Sequence, residues 1–190
     1  MAKNKKFMYG IGQMKINDFV VGYIEKNSFD YGGKKGESVD VNAEQVPSTP
    51  VLVLQQSNGT IKPTFNIIQV DYKNLVKTMG GTLAGSEEAP TGWNAPSEIV
   101  SVGGYVQIDL VSGQSVLIPQ AKVTANLGGK LCLTETSKIE VELGIEHPDE
   151  GSPYGTHNTD ALPESWTSNH LLKDSSVTGQ SAAAASETGD

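Results

Sequence analysis

From Lys138 to Glu146 apolar and polar residues alternate without a break, reading Lys-Ile-Glu-Val-Glu-Leu-Gly-Ile-Glu. A period of two puts Ile139, Val141, Leu143 and Ile145 on one face and Glu140, Glu142, Gly144 and Glu146 on the other. A helix would scatter the same residues around its circumference, so this segment must be a strand with one buried face and one acidic face. The same texture recurs through the first 148 residues, where Val, Ile, Thr and aromatics alternate with polar residues between closely spaced Gly and Asn turns. It predicts strands near 7–16, 19–31, 37–43, 50–56, 60–70, 98–111, 115–126, 130–135 and 137–146. Ser57-Asn58-Gly59-Thr60 is the sequence of a type I′ hairpin turn, and Ser112-Gly113-Gln114 and Gly128-Gly129 mark two more turns.

Only residues 71–79 have a helical period: Asp71 can cap the start, Tyr72, Leu75, Val76 and Met79 share a face, and Gly80-Gly81 ends the run. One helix beside many short strands predicts a mainly β chain. The expected fold is an antiparallel β-sandwich or barrel with one flanking α-helix, long loops and a C-terminal extension. A length of 190 residues suits one domain with an appendage.

The division falls at His147-Pro148-Asp149-Glu150-Gly151. Residues 149–190 hold seven of the 22 acids and only Lys173 among the 14 basic residues, and they are rich in Gly, Pro, Ser, Thr and Asn. The sequence therefore divides into a β domain, 1–148, and an acidic, low-complexity extension, 149–190, expected to be solvated. The alternative is an arm that orders against a partner, anchored by Trp166, Leu171 and Leu172. Two connections are long for a compact domain. Residues 26–50 include Lys34, Lys35 and Val46, and residues 80–96 include Glu87, Glu88 and Trp93; both are candidates for contacts between subunits.

All 14 basic residues are lysines and the net charge is −8. Without arginine for bidentate phosphate or guanine recognition, and with an acidic balance, sequence-specific nucleic-acid binding is not expected. No run approaches the ~18 apolar residues of a membrane span, and the basic start, Met1 to Lys6, leads into no signal-peptide core, so a soluble chain with no cleaved signal is predicted.

No catalytic, cofactor or metal site is predicted. Gly10-Ile11-Gly12 lacks the third glycine of a dinucleotide loop, and Gly80 to Gly85 lacks the Gly-Lys-Ser/Thr ending of a phosphate loop. His147, His157 and His170 have no zinc spacing. Cys132 is the single cysteine, which excludes an intramolecular disulfide, and alternation places it as a small strand residue opposite Leu131 and Leu133. The carboxylate pairs Glu87-Glu88 and Asp149-Glu150 lie in polar sequence that would not separate their pKa values. Asn58-Gly59-Thr60 has the spacing of a glycosylation acceptor, but the turn accounts for it.

The order of segments resembles a known family. Gly92-Trp93-Asn94-Ala95-Pro96 precedes Val106-Gln107-Ile108-Asp109-Leu110-Val111-Ser112-Gly113, then Val116-Leu117-Ile118-Pro119-Gln120-Ala121-Lys122-Val123, and the Lys138–Pro148 strand closes the series. This is similar to the tail tube proteins of tailed bacteriophages, over about residues 7–148. The resemblance implies hexameric rings that stack into a tube, contacts with other tail proteins, and genomic DNA passing through without specific binding. It also implies assembly in the host cytoplasm and a final place in the virion tail, away from any membrane. Glu140, Glu142 and Glu146 would line the lumen, where like charge keeps phosphate off the wall. Alternatives are a tail terminator, a capsid decoration protein or the inner-tube protein of a contractile injection system. More remote is a small-ligand module with Trp93 and Tyr105 lining a pocket.

Overall fold

The computed structural model describes residues 6–46, 48–98 and 100–173. The basic start through Lys5 and the Ser175–Asp190 run with its alanine tract lie outside the described residues. The first half of the chain forms β1 (Ile11–Ile16), β2 (Phe19–Val20), β3 (Ser38–Val41), β4 (Leu52–Gln55), β5 (Thr64–Ile67) and α1 (Tyr72–Met79). The second half forms β6 (Thr82–Gly85), β7 (Pro90–Asn94), β8 (Val102–Leu110), β9 (Gln114–Gly128), β10 (Lys138–Ile145), β11 (Gly155–Asn158) and α2 (Glu164–Asn169).

The fold is mainly β, with antiparallel sheets and a helix at the flank, as the alternation predicted. The main sheet runs β2-β1-β8-β9-β10-β5, and β11 joins it on β9. The 15-residue β9 is the spine: its start pairs β11 (Leu117↔Gly155) and its end pairs β10 (Val123↔Leu143), while β8 covers the opposite edge. Between Ile118 and Ala121 the register against β8 slips by one residue, which accommodates Pro119 where a ladder donor would otherwise be missing.

One sheet face carries Met14, Ile16, Val106, Ile108, Val116, Ile118, Val123, Ile139, Val141 and Leu143, all buried, and Phe65 and Ile67 extend it on β5. Leu75 of α1 closes the layer, with Met79 and Trp93 packed against it. Asp71 caps α1 by accepting from the Asn74 N–H at 2.7 Å, and Gly80 ends it at φ 75°, both as expected. The inward face of α1 is more polar than its periodicity implied. Asn74 and Thr78 are buried with Leu75, whereas Tyr72 is exposed. Asn74 donates to the Gln69 carbonyl at 2.8 Å and Thr78 to the Asn74 carbonyl at 2.6 Å, while the buried Asn74 Oδ1 has no partner among the described residues.

Several expectations are corrected. Asn58-Gly59 is not a type I′ turn: neither residue has a positive φ, and β4 pairs with β3 instead of β5. Gly59 is needed for a different reason, because a Cβ there would come within 2.9 Å of the Lys34 carbonyl oxygen. The expected 130–135 strand is an exposed loop between β9 and β10, so Cys132 is solvent-facing and Leu131 and Leu133 are 94% and 108% exposed. Residues 80–96, expected as a loop, form the β6–β7 hairpin (Leu83↔Trp93).

The largest correction concerns the extension. Through Lys173 it is a folded strap on the outer face of the main sheet. β11 adds to the edge of β9, and Trp166 and Leu172 bury themselves over Leu117, flanked by Tyr105 and Leu162. The strap closes on itself where the Ser152 N–H donates to the Leu172 carbonyl at 2.8 Å and Lys173 pairs with Glu150 at 2.7 Å. Composition averaged over the segment concealed this, because one tryptophan buries as much apolar surface as several small residues.

Candidate assembly surfaces

Four surfaces carry the residues singled out by sequence. The first is the β3–β4 ribbon, which continues a ladder of bridges, Ile24↔Ile67, Asp30↔Thr64 and Lys34↔Thr60, beyond the end of β5. Its pairs Val39↔Leu54 and Val41↔Leu52 share one face, and Ser38↔Gln55 and Asp40↔Val53 share the other. All eight residues are exposed, Val39 and Val41 at 41%, Leu52 at 53% and Leu54 at 50%. An isolated two-stranded ribbon is marginal in water, and this one presents an apolar face that the described residues leave exposed. Lys34 and Lys35 are exposed at its base and Val46 at its tip, beside a bridge to Ala43. The strand alternation was readable in Ser-Val-Asp-Val; that its apolar side is left unpacked was not.

The second surface is the tip of the β6–β7 hairpin, where Glu87 and Glu88 are exposed. Trp93 does not belong with them. Its ring packs against the main core and its indole N–H donates to the Gly80 carbonyl at 2.8 Å, which ties the hairpin to the end of α1. Tyr105 lies in the other cluster, on the opposite sheet face, so Trp93 and Tyr105 do not line one pocket.

The third surface is the outer face of β10. Glu140 and Glu142 alternate with buried Ile139, Val141 and Leu143 as expected, and Glu146 follows just past the strand. The stripe is not bare. Glu142 pairs with Lys62 at 2.7 Å, Glu140 accepts from Asn126 at 3.2 Å, and Glu146 accepts from Gln120 at 3.1 Å. Cross-strand register also sets Lys122 opposite Gly144. Close by, Glu25 accepts from Asn66 at 2.6 Å and from Lys138 at 3.1 Å, and these two contacts hold its carboxyl below the usual range. The face is thus a mixed, hydrogen-bonded surface in which acids alternate with their partners.

The fourth surface is the strap. Trp166 is 2% exposed and its indole N–H donates to Gln107 Oε1 at 3.0 Å. His170 stacks on Tyr105 with ring centroids 3.6 Å apart, and the Tyr105 hydroxyl donates to Asp18 at 2.6 Å. Burial first, and then the Asp18 carboxylate, push the Tyr105 phenol up to about 12. Leu171 is only half-buried, so of the expected anchors Trp166 and Leu172 hold the strap, and they hold it to this chain's own sheet. At its margin, buried Ser115 donates to Asp109 at 2.6 Å, with the exposed Thr159 hydroxyl 2.9 Å away.

Among the described residues no group of three or more His, Cys, Asp or Glu side chains comes together to hold a metal, and no helix is long and apolar enough to cross a membrane. Compared with known proteins, the chain matches no family model and no curated protein. The resemblance to tail tube proteins therefore stands on the segment order given above.

Proposed function

We propose that this chain is a structural subunit that assembles with copies of itself, in the manner of a phage tail tube: hexameric rings stacked into a hollow tube through which genomic DNA leaves the capsid. The observation that carries the proposal is the β3–β4 ribbon, whose four-residue apolar face is left exposed by the described residues of the single chain. A two-stranded ribbon with such a face is marginal in water, and a surface that covered it would stabilise it. A main sheet covered on one face by α1 and on part of the other by the strap supplies a rigid body from which the ribbon projects. The β10 outer face fits a lumen wall because its carboxylates are interleaved with Lys62 and Lys122, leaving no dense cationic patch on which DNA would stall.

Electron microscopy of the purified full-length chain over a range of concentrations tests the proposal. Stacked rings or tubes are expected. Isolated rings that never stack would favour a terminator, and a chain that stays monomeric at every concentration would overturn the assembly proposal.

A further inference from the structure

The same chain carries a groove whose character matches the ribbon's. Between residues 8–14 and 20–31 lies a cleft of about 840 Å³ lined by Met8, Tyr9, Val20, Tyr23, Phe29 and Tyr31. Most of these side chains are open to solvent, Tyr23 at 76% and Tyr9 at 51%. Among the described residues nothing fills the groove or covers the apolar side of the ribbon, and the chain does not bring the two together. The Ile24–Lys34 ladder starts at the groove and leads away from it into the ribbon. The base of the ribbon is fixed by the reciprocal Lys34–Thr60 backbone bonds, by the Gln56 N–H on the Glu37 carbonyl at 2.8 Å, and by the Glu37 N–H on Ser57 Oγ at 3.0 Å.

We infer that the apolar face of the ribbon, Val39, Val41, Leu52 and Leu54, seats in the groove of a second copy of this chain. Charge selects this pairing over ribbon against ribbon. Between Gly36 and Ile61 the chain carries Glu37, Asp40 and Glu44 and no lysine, so each ribbon bears a net acidic charge and two of them packed together would repel, although Asp40 itself is on the face away from the contact. The groove carries no such excess of acid: Lys26 lines it and is exposed, and Glu25, which also lines it, is paired with Lys138. Because ribbon and groove are different patches, the contact is heterologous and repeats from copy to copy, closing into a ring or running on as a filament. The inference rests on the assembly proposal and names the surfaces that carry it.

The test uses the full-length chain with Cys132→Ser, so that introduced thiols stand alone. Val41→Cys and Tyr23→Cys variants are made separately, both at exposed positions, and are oxidised alone and mixed. A covalent dimer is expected only in the mixture. In parallel, Leu54→Asp should raise the concentration needed for assembly by about tenfold or more without changing the melting of the unassembled chain, since it removes the half-exposed leucine from the contact and sets a carboxylate there. Dimers from Val41→Cys alone, at the yield of the mixture, would mean ribbons pair with each other and would overturn the inference. Particles in the microscope with no cross-link in the mixture would overturn it too, leaving self-assembly through some other surface. Neither particles nor cross-links would remove both proposals.

Discussion

Replacing Trp166 with alanine should detach the strap and leave the main sheet standing. The indole is almost wholly buried over Leu117 and Leu172, stands edge-on to Tyr105 with ring centroids 5.8 Å apart, and donates to Gln107. A buried tryptophan removes about 150–250 Å² from water, which at ~25 cal/mol/Å² is about 4–6 kcal/mol, an upper bound because the unfolded chain is itself partly compact. Large-to-small replacements of this kind cost about 3–5 kcal/mol. Besides Trp166 the strap is held by the four-residue β11 ladder, the Leu172 contact, the His170–Tyr105 stack, the Ser115–Thr159 hydrogen bond and the exposed Lys173–Glu150 pair, and exposed pairs contribute at most ~1 kcal/mol. Amide hydrogen exchange separates the two parts. Protection at Gly155–Asn158 should fall by about two to three orders of magnitude, while Ile139–Leu143 on the opposite cluster keep theirs. Equal losses at β11 and β10 would show that strap and sheet unfold as one unit, and unchanged protection at β11 would show that Trp166 does not hold it; either refutes the reasoning.

Three further outcomes are expected. Absorbance titration of tyrosinate in the intact chain should show a late step near pH 12 that Tyr105→Phe removes. The raised phenol stabilises the fold below about pH 10, and that contribution is lost as pH rises through about 12, so a step that survives the substitution would reassign it. The Lys173 hydrogen bond and charge hold the Glu150 carboxyl below its usual range, so the clasp is present above the unfolded carboxylate range and is lost as pH falls through the lowered value. Protease cleavage within 149–173 should therefore rise on acidification, and Glu150→Gln should flatten that dependence. Replacing Glu140, Glu142 and Glu146 together with lysine should leave tubes intact but slow DNA passage, with the defect easing at high salt; passage at the normal rate would remove these residues from the lumen.

What the sequence alone determined was local. The strict alternation of 138–146 fixed β10 and the faces of its side chains, because the strand period is set by backbone geometry and needs no partner. Asp71 and Gly80 bounded α1 for the same reason: a cap is a contact among neighbours in the chain. Gly113, at φ 91°, turned β8 into β9 where a glycine was expected to do so. Tertiary structure decided which strand meets which. Asn58-Gly59 satisfies every local rule for a hairpin, yet β4 pairs back to β3 and the glycine serves the close approach of Lys34 instead. The strap was hidden because its burial depends on Leu117, some fifty residues earlier, and on a free β9 edge that exists only once the sheet has formed. The ribbon is the converse case. Its alternation predicts a buried face, and only the folded chain shows that the face is left open, because the bridge ladder carries it past the reach of its own core. Periodicity tells a residue which way to point, whereas what it points at is settled by contacts between distant parts of the chain.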